Sequence, residues 1–178
     1  TGQNPKKWAT TSWWFTQYSG EQRTKALYWR EHAQRVWDCN GLAEGLYKDY
    51  AGTDINTKAR YNYSQWCDPK GTGLIPVKYR VPGAAVFWGD SAGSIHHVAY
   101  LVKPVVDGKP DGDWILIEAR GVNHGVVATK LLSRKPNFWG IMSKYFDYEN
   151  STVMTPTVRH LGDRILKNGS YGDDVKEL

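Results

Sequence analysis

Apolar and polar positions divide the chain into a helical front and a strand-bearing rear. Residues 21–36 favour helix, with Ala26, Leu27, Ala33 and Val36 at workable spacing and Ser19-Gly20 supplying a start. A second helix is predicted from about Asp38, which can cap it, to Tyr50. Leu42, Leu46 and Tyr50 recur every four residues there and form a stripe fit for burial, with Gly52 as a stop. Residues 53–81 are polar, rich in turn formers and weakly periodic, so they read as one long connection with little regular structure, of the kind that often lines a site. After Pro82-Gly83 the texture changes to strands at 84–88, 97–102, 114–119 and 125–131. The turn-rich stretch 107–113 should be an exposed connection between the second and third. Helices first and consecutive strands afterwards predict an α+β domain, N-terminal helices packed on a small antiparallel β-sheet. Beyond Tyr148 the apolar pattern fades. Residues 149–160 read as a linker, and 161–178 have a character of their own.

Composition narrows the class of molecule more than its chemistry. At 178 residues the chain can hold one ordinary domain with a real core. A net charge of +5, from 23 basic and 18 acidic residues, suits an anionic partner without naming one. The basic residues are scattered, with no stripe or recognisable motif, so nucleic-acid binding ranks last. Nine Trp and eleven Tyr are a heavy aromatic load, suited to core and to the walls of a groove that grips sugar or peptide. No apolar stretch approaches the roughly 20 residues needed to span a bilayer. No signal-peptide pattern opens the chain at Thr1, as in a processed or trimmed protein or one exported by another route.

Three residues offer chemistry. Cys39, in Trp37-Asp38-Cys39-Asn40-Gly41-Leu42, stands where the second helix should begin. A thiol there faces unpaired N–H groups and the positive end of the helix dipole, which favour thiolate and can pull its pKa below the free value of roughly 8.5. The alternative is a small buried apolar residue, or one half of a disulfide with Cys67, the second cysteine of the chain. His97 opens a predicted strand and neighbouring His96 points to the opposite face, so only one can serve as partner to Cys39; residue type alone leaves the choice open. Glu118 sits in the apolar strand Ile115-Leu116-Ile117-Glu118-Ala119. If buried it needs a partner, and an imidazole on the adjacent strand would fit; if the strand end is solvent-facing it needs none. The His and Cys positions have no zinc-ligand spacing, and the chemistry asks for no metal or other cofactor.

Taken in order, Asp38-Cys39-Asn40-Gly41-Leu42, Pro82-Gly83-Ala84-Ala85-Val86-Phe87-Trp88, His97-Val98-Ala99-Tyr100, Ile117-Glu118-Ala119-Arg120-Gly121 and Gly125-Val126-Val127 resemble the NlpC/P60 family of cell-wall cysteine peptidases. The likeness covers most of residues 25–148. It implies a papain-like fold with Cys39 as nucleophile, His97 rather than His96 as its partner, and Glu118 rather than His124 as the third member. Tyr28, Asp38, Trp88, His96 and His124 are then expected to contact substrate. The implied activity is hydrolysis of peptidoglycan stem peptides at the bond between γ-linked D-glutamate, or D-isoglutamine, and the diamino acid, through a thioester. The alternatives are an N-acetylmuramoyl-L-alanine amidase on the same scaffold, or a wall-binding module without turnover, the latter favoured if Cys39 is bonded to Cys67.

Three departures from the family pattern stand out. Asn40 replaces the usual Ser, a conservative change expected to matter little. The usual Gly-Gly stretch upstream of the cysteine is replaced by Trp29-Arg30-Glu31-His32, which leaves Tyr28 off the spacing of the Tyr that often completes the oxyanion site. The connection between the His and Glu strands is longer than usual. Residues 161–178 resemble the opening of a three-helix peptidoglycan-binding repeat, whose remainder would tether the enzyme to the wall. The expected organisation is therefore a catalytic domain at 1–148, a linker at 149–160 and the start of a binding domain at 161–178. The expected setting is a secreted, wall-associated or phage-delivered monomer whose partners are the stem peptide and anionic wall polymers.

Overall fold

Pro5 at the first helical position and Asn4 before it start α1 (Pro5–Thr11); the Asn4 side chain accepts from the backbone N–H groups of Lys6 and Lys7. The computed structural model describes residues 2–51, the last six by backbone alone, together with 58–144 and 148. α2 (Trp13–Gln17) and α3 (Gly20–His32) follow. Phe15 is buried between Trp8, in edge contact at 5.0 Å, and Arg23, whose guanidinium lies 4.3 Å over its ring and donates to its carbonyl at 2.8 Å. These contacts join the three helices into one aromatic cluster that the sequence pattern did not predict before residue 21. α3 stops four residues short of the expected end. Gln3 and Val36 exchange both backbone hydrogen bonds, at 2.9 and 3.0 Å, and this β-bridge needs the extended backbone that Ala33 initiates.

α4 (Cys39–Ala51) begins at the cysteine, as expected; Leu42 and Ala43 are buried, while the side chains of Leu46 and Tyr50 lie outside the described residues. The predicted long connection is more ordered than its composition suggests. It holds α5 (Ala59–Tyr61), a π-helical turn (Asn62–Trp66), β1 (Lys70–Thr72) and a 3-10 turn (Val77–Tyr79). Each is five residues or shorter, too brief to leave a periodic signature. Buried Arg80 donates to the carbonyls of Ile75, Asp111 and Gly112, fastening this segment to the turn-rich connection at 107–113.

The sheet is completed by β2 (Ala85–Gly89), β3 (Ile95–Pro104), β4 (Trp114–Ala119), β5 (Val126–Lys130) and β6 (Phe138–Gly140), with α6 (Leu131–Arg134) between the last two. Among the described residues six strands run in the order β1-β6-β2-β3-β4-β5, every neighbouring pair antiparallel. The α+β class with an antiparallel sheet thus holds, and the four predicted strands all form; β1 and β6 are additions of three residues each. Alternation along the strands feeds two cores. Phe87, Val98, Tyr100 and Phe138 meet Ala43 of α4 and Ala59 of α5, whereas Val86, Ala99, Leu101, Leu116 and Trp139 meet Ile75 and Leu131. Gly71 and Gly140 matter at the β1–β6 edge: a side chain on the first would collide with the Trp139 ring at 2.9 Å, and one on the second would occupy the space taken by Cys67. The expected linker at 149–160 and binding-domain start at 161–178 lie outside the described residues.

Candidate active site

Cys39 is the first residue of α4, half-buried. Asp38 caps that turn: its Oδ1 accepts from the Gly41 N–H at 2.5 Å, and its carbonyl accepts from Leu42 N–H. The nucleophile candidate therefore sits at a helix start whose Leu42 and Ala43 are buried, Ala43 in the core that it shares with the sheet.

His97 reaches it from β3. The β2–β3 ladder pairs Trp88 with His97 but Gly89 with Ile95, so His96 is an extra residue with no opposite partner. That slip sends exposed His96 outward and half-buried His97 to the site, and gives a physical reason for choosing between two adjacent histidines. His97 Nε2 lies 2.8 Å from Glu118 Oε2, which leaves Nδ1 as the ring nitrogen available to Cys39. Burial acts to lower the His97 pKa, but hydrogen bonds with Cys39 and Glu118, and their charges, outweigh it and raise the value to about 9.

Glu118 is 0 % exposed and fully engaged. Besides His97 it accepts from Thr129 Oγ1 at 2.6 Å and from Arg134 through a two-pronged pair, Nε to Oε1 at 2.7 Å and a terminal nitrogen to Oε2 at 2.8 Å. Burial alone would raise its pKa; the bonds from His97, Arg134 and Thr129 and the Arg134 charge reverse this and hold it near 2. Arg134 lies 4.8 Å over the Trp88 ring, and Trp88 Nε1 donates to the Arg134 carbonyl at 3.0 Å. Trp88 in turn lies 5.1 Å from the His97 ring. Trp88 thus packs between the histidine and the arginine, as a wall for both.

A cleft of about 580 Å³ opens over Cys39 and His97. One wall comes from the N-terminal region, with Trp8, Trp14, Tyr18, Trp29, Arg35 and Trp37; the other is the β4–β5 turn from Gly121 to Val126. Trp29 Nε1 donates to the Val122 carbonyl at 2.6 Å and ties the two walls together. Of the residues expected to contact substrate, Asp38 and His124 line this cleft. Tyr28 does not: it is 51 % exposed and its ring lies against Trp29 and His32 on the surface of α3. Its neighbour Trp29 occupies the cleft instead. Trp88 and His96 stand beside the histidine rather than in the cleft lining.

The sequence pattern offered no role for Arg134 or Thr129. The signal was present in principle: a buried carboxylate has about four lone-pair sites, and one imidazole cannot satisfy them. Cys67, 2 % exposed, is packed among Tyr63, Phe138 and Met142, and neither cysteine is in a disulfide. The condition that would have favoured a module without turnover is therefore not met. Burial pushes the Cys67 thiol up to about 12, which makes it inert. Among the described residues no three His, Cys, Asp or Glu side chains are grouped to hold a metal ion, and no helix is long and apolar enough to cross a membrane.

No family model matches the chain. No curated protein matches it. Among solved structures it is similar to the NlpC/p60 domain of peptidoglycan hydrolase SagA, at 24 % identity and a TM-score of 0.42, over 60 % of this chain and 77 % of that one.

Proposed function

We propose that this chain is a peptidoglycan hydrolase of the NlpC/P60 type, a cysteine peptidase with Cys39 as nucleophile, His97 as acid and base, and Glu118 as the group that orients His97. The observation that carries the reading is the position of His97, bonded through Nε2 to a buried, anchored carboxylate and interacting on its other side with a half-buried cysteine at a helix start. That is the order of groups a thiol nucleophile requires.

The sulfur of Cys39 adds to the scissile carbonyl, and the carbonyl electrons move to oxygen, to which the Cys39 backbone N–H can donate a hydrogen bond. Collapse expels the amine, which leaves with the proton of His97 and gives a thioester. His97, now neutral, takes a proton from water as the water attacks the thioester, and Cys39 is released. Glu118 stays ionised throughout, because Arg134 and Thr129 hold it so. The substrate assigned is the peptidoglycan stem peptide, cut between γ-linked D-glutamate or D-isoglutamine and the diamino acid, and the cleft between the aromatic wall and the β4–β5 turn would hold it. Wall-associated action, with residues 161–178 opening a wall-binding domain, belongs to the same proposal.

Cys39→Ala should abolish release of new amino groups from purified peptidoglycan while leaving the fold intact by circular dichroism. Release retained by that variant would sink the assignment. Mass spectrometry of digested muropeptides then fixes the bond: products ending in γ-D-glutamate support it, whereas free L-alanine amino termini would indicate amidase chemistry.

A further inference from the structure

Asn40 replaces the Ser of the family pattern, and its surroundings make the change more than conservative. It is 7 % exposed, immediately follows Cys39, and its Oδ1 accepts from Nδ2 of Asn62, a residue only 1 % exposed. Its own Nδ2 donates to Glu44 Oε1 at 2.6 Å, one turn further along α4. The Asn40 side chain therefore links the helix that carries Cys39 to the π-helical turn Asn62–Trp66. A π-helical turn is rare and tends to occur where a side chain must be placed for function. A serine at position 40 is one bond shorter and has no amide, so it could not span this gap while also reaching Glu44. Tyr100 borders the same spot; its buried hydroxyl lies beside Asn62 and within electrostatic reach of Cys39.

We propose that Asn62 is a positioning residue for the nucleophile: through Asn40 it fixes the rotation of the first turn of α4 and hence the direction in which Cys39 presents its sulfur to His97. Low surrounding polarity strengthens the amide–amide bond and makes its loss felt, because both residues that form it are buried. The inference rests on Cys39 and His97 acting together, not on the identity of the substrate.

The test reads Cys39 directly, by the rate of its alkylation with iodoacetamide, followed by mass spectrometry. Buried Cys67 serves as an internal unreactive control. In Asn62→Ala and Asn62→Ser, the second keeping the site polar in case the first folds poorly, alkylation at about pH 6 should slow about tenfold. On a defined muropeptide kcat should fall about tenfold with KM changed less than about twofold. The alkaline limb of activity should also move down from about 9, because His97 loses the hydrogen bond and charge of Cys39 that help to raise it. Asn40→Ala should behave alike, and the double variant should be no worse than either single one. A folded Asn62→Ser protein that alkylates at the wild-type rate, or losses that multiply in the double variant, would overturn the proposal. Wild-type protein that alkylates rapidly at Cys39 yet releases nothing from peptidoglycan would count against the substrate alone.

Discussion

The two halves of the site are held by different physics. On the sheet side, His97 ends a chain of charge-assisted bonds in which Glu118, Arg134 and Thr129 are joined at 2.6 to 2.8 Å. On the helix side, Cys39 depends on a capping carboxylate, Asp38, and a pair of neutral buried amides, Asn40 and Asn62. Charged buried pairs fix geometry strongly and fail badly when one member is removed. Neutral amides and caps contribute less each, so the nucleophile side should tolerate single changes better in stability than the histidine side. The difference suits the roles: an acid–base group must keep one orientation through two proton transfers, whereas a sulfur must be aimed once.

The largest expected departure follows from Arg134→Ala. It strips a fully buried carboxylate of two of its four bonds and of its counter-charge, which should destabilise the fold by about 3 kcal/mol or more. A urea unfolding midpoint measures this, and loss of activity should accompany it even where the protein remains folded. Arg134→Lys should recover only part, since an ammonium cannot make the two-pronged pair or lie flat on Trp88. Equal stability of Arg134→Ala and wild type would abolish the contrast between the two halves.

Glu118→Gln is the next largest, and it separates geometry from charge. The amide keeps one acceptor for Arg134 or His97 but removes the negative charge, so turnover should fall on the order of a hundredfold, about 2.7 kcal/mol of barrier, with substrate binding near normal. An unchanged rate would move the third role to another residue. The pH dependence gives an independent check. The folded His97 value of about 9 lies above the ordinary 6.5, so its contribution to stability is fully present below 6.5 and is lost as pH rises through about 9. Activity that needs the imidazolium as acid should fall over the same upper range. For Glu118, held near 2 against an ordinary 4.5, the contribution is present above 4.5 and lost as pH falls through about 2. Glu118→Gln removes one of the causes that raise His97, so the alkaline limb should move downward in that variant.

What the sequence made legible matches this division. Cys39 at a helix start, a histidine at a strand start and a charged residue in an apolar strand are local patterns, and the strands that carry two of them are apolar runs set off by turn formers. The supports of these residues come from elements that leave no such signature. Arg134 belongs to a four-residue helix, Asn62 to a five-residue π-helical turn, and β1 and β6 have three residues each. The N-terminal wall was missed because α1 and α2 are short and are defined by the Trp8–Phe15 ring contact between them and by Arg23 of α3 over Phe15, rather than by an amphipathic stripe. Tyr28 and Trp29 show the limit of spacing arguments: neighbours on one helix diverge by about 100° in direction, and the register that would send Tyr28 into the cleft sends Trp29 there instead.

The smallest effect is expected at Asp38, and it calibrates the helix side. Asp38→Ala removes one cap bond, to the Gly41 N–H, and one negative charge beside the positive end of α4. The cost should be about 1 kcal/mol, against about 3 kcal/mol or more for Arg134→Ala. Asp38→Asn keeps the acceptor and should lie within a few tenths of a kcal/mol of wild type, because Asn caps helices about as well as Asp. Chemical denaturation of the three proteins side by side settles the order. If Asp38→Ala destabilised as much as Arg134→Ala, the first turn of α4 would be as firmly held as the Glu118 cluster, and the asymmetry between a fixed histidine and an aimed sulfur would be wrong.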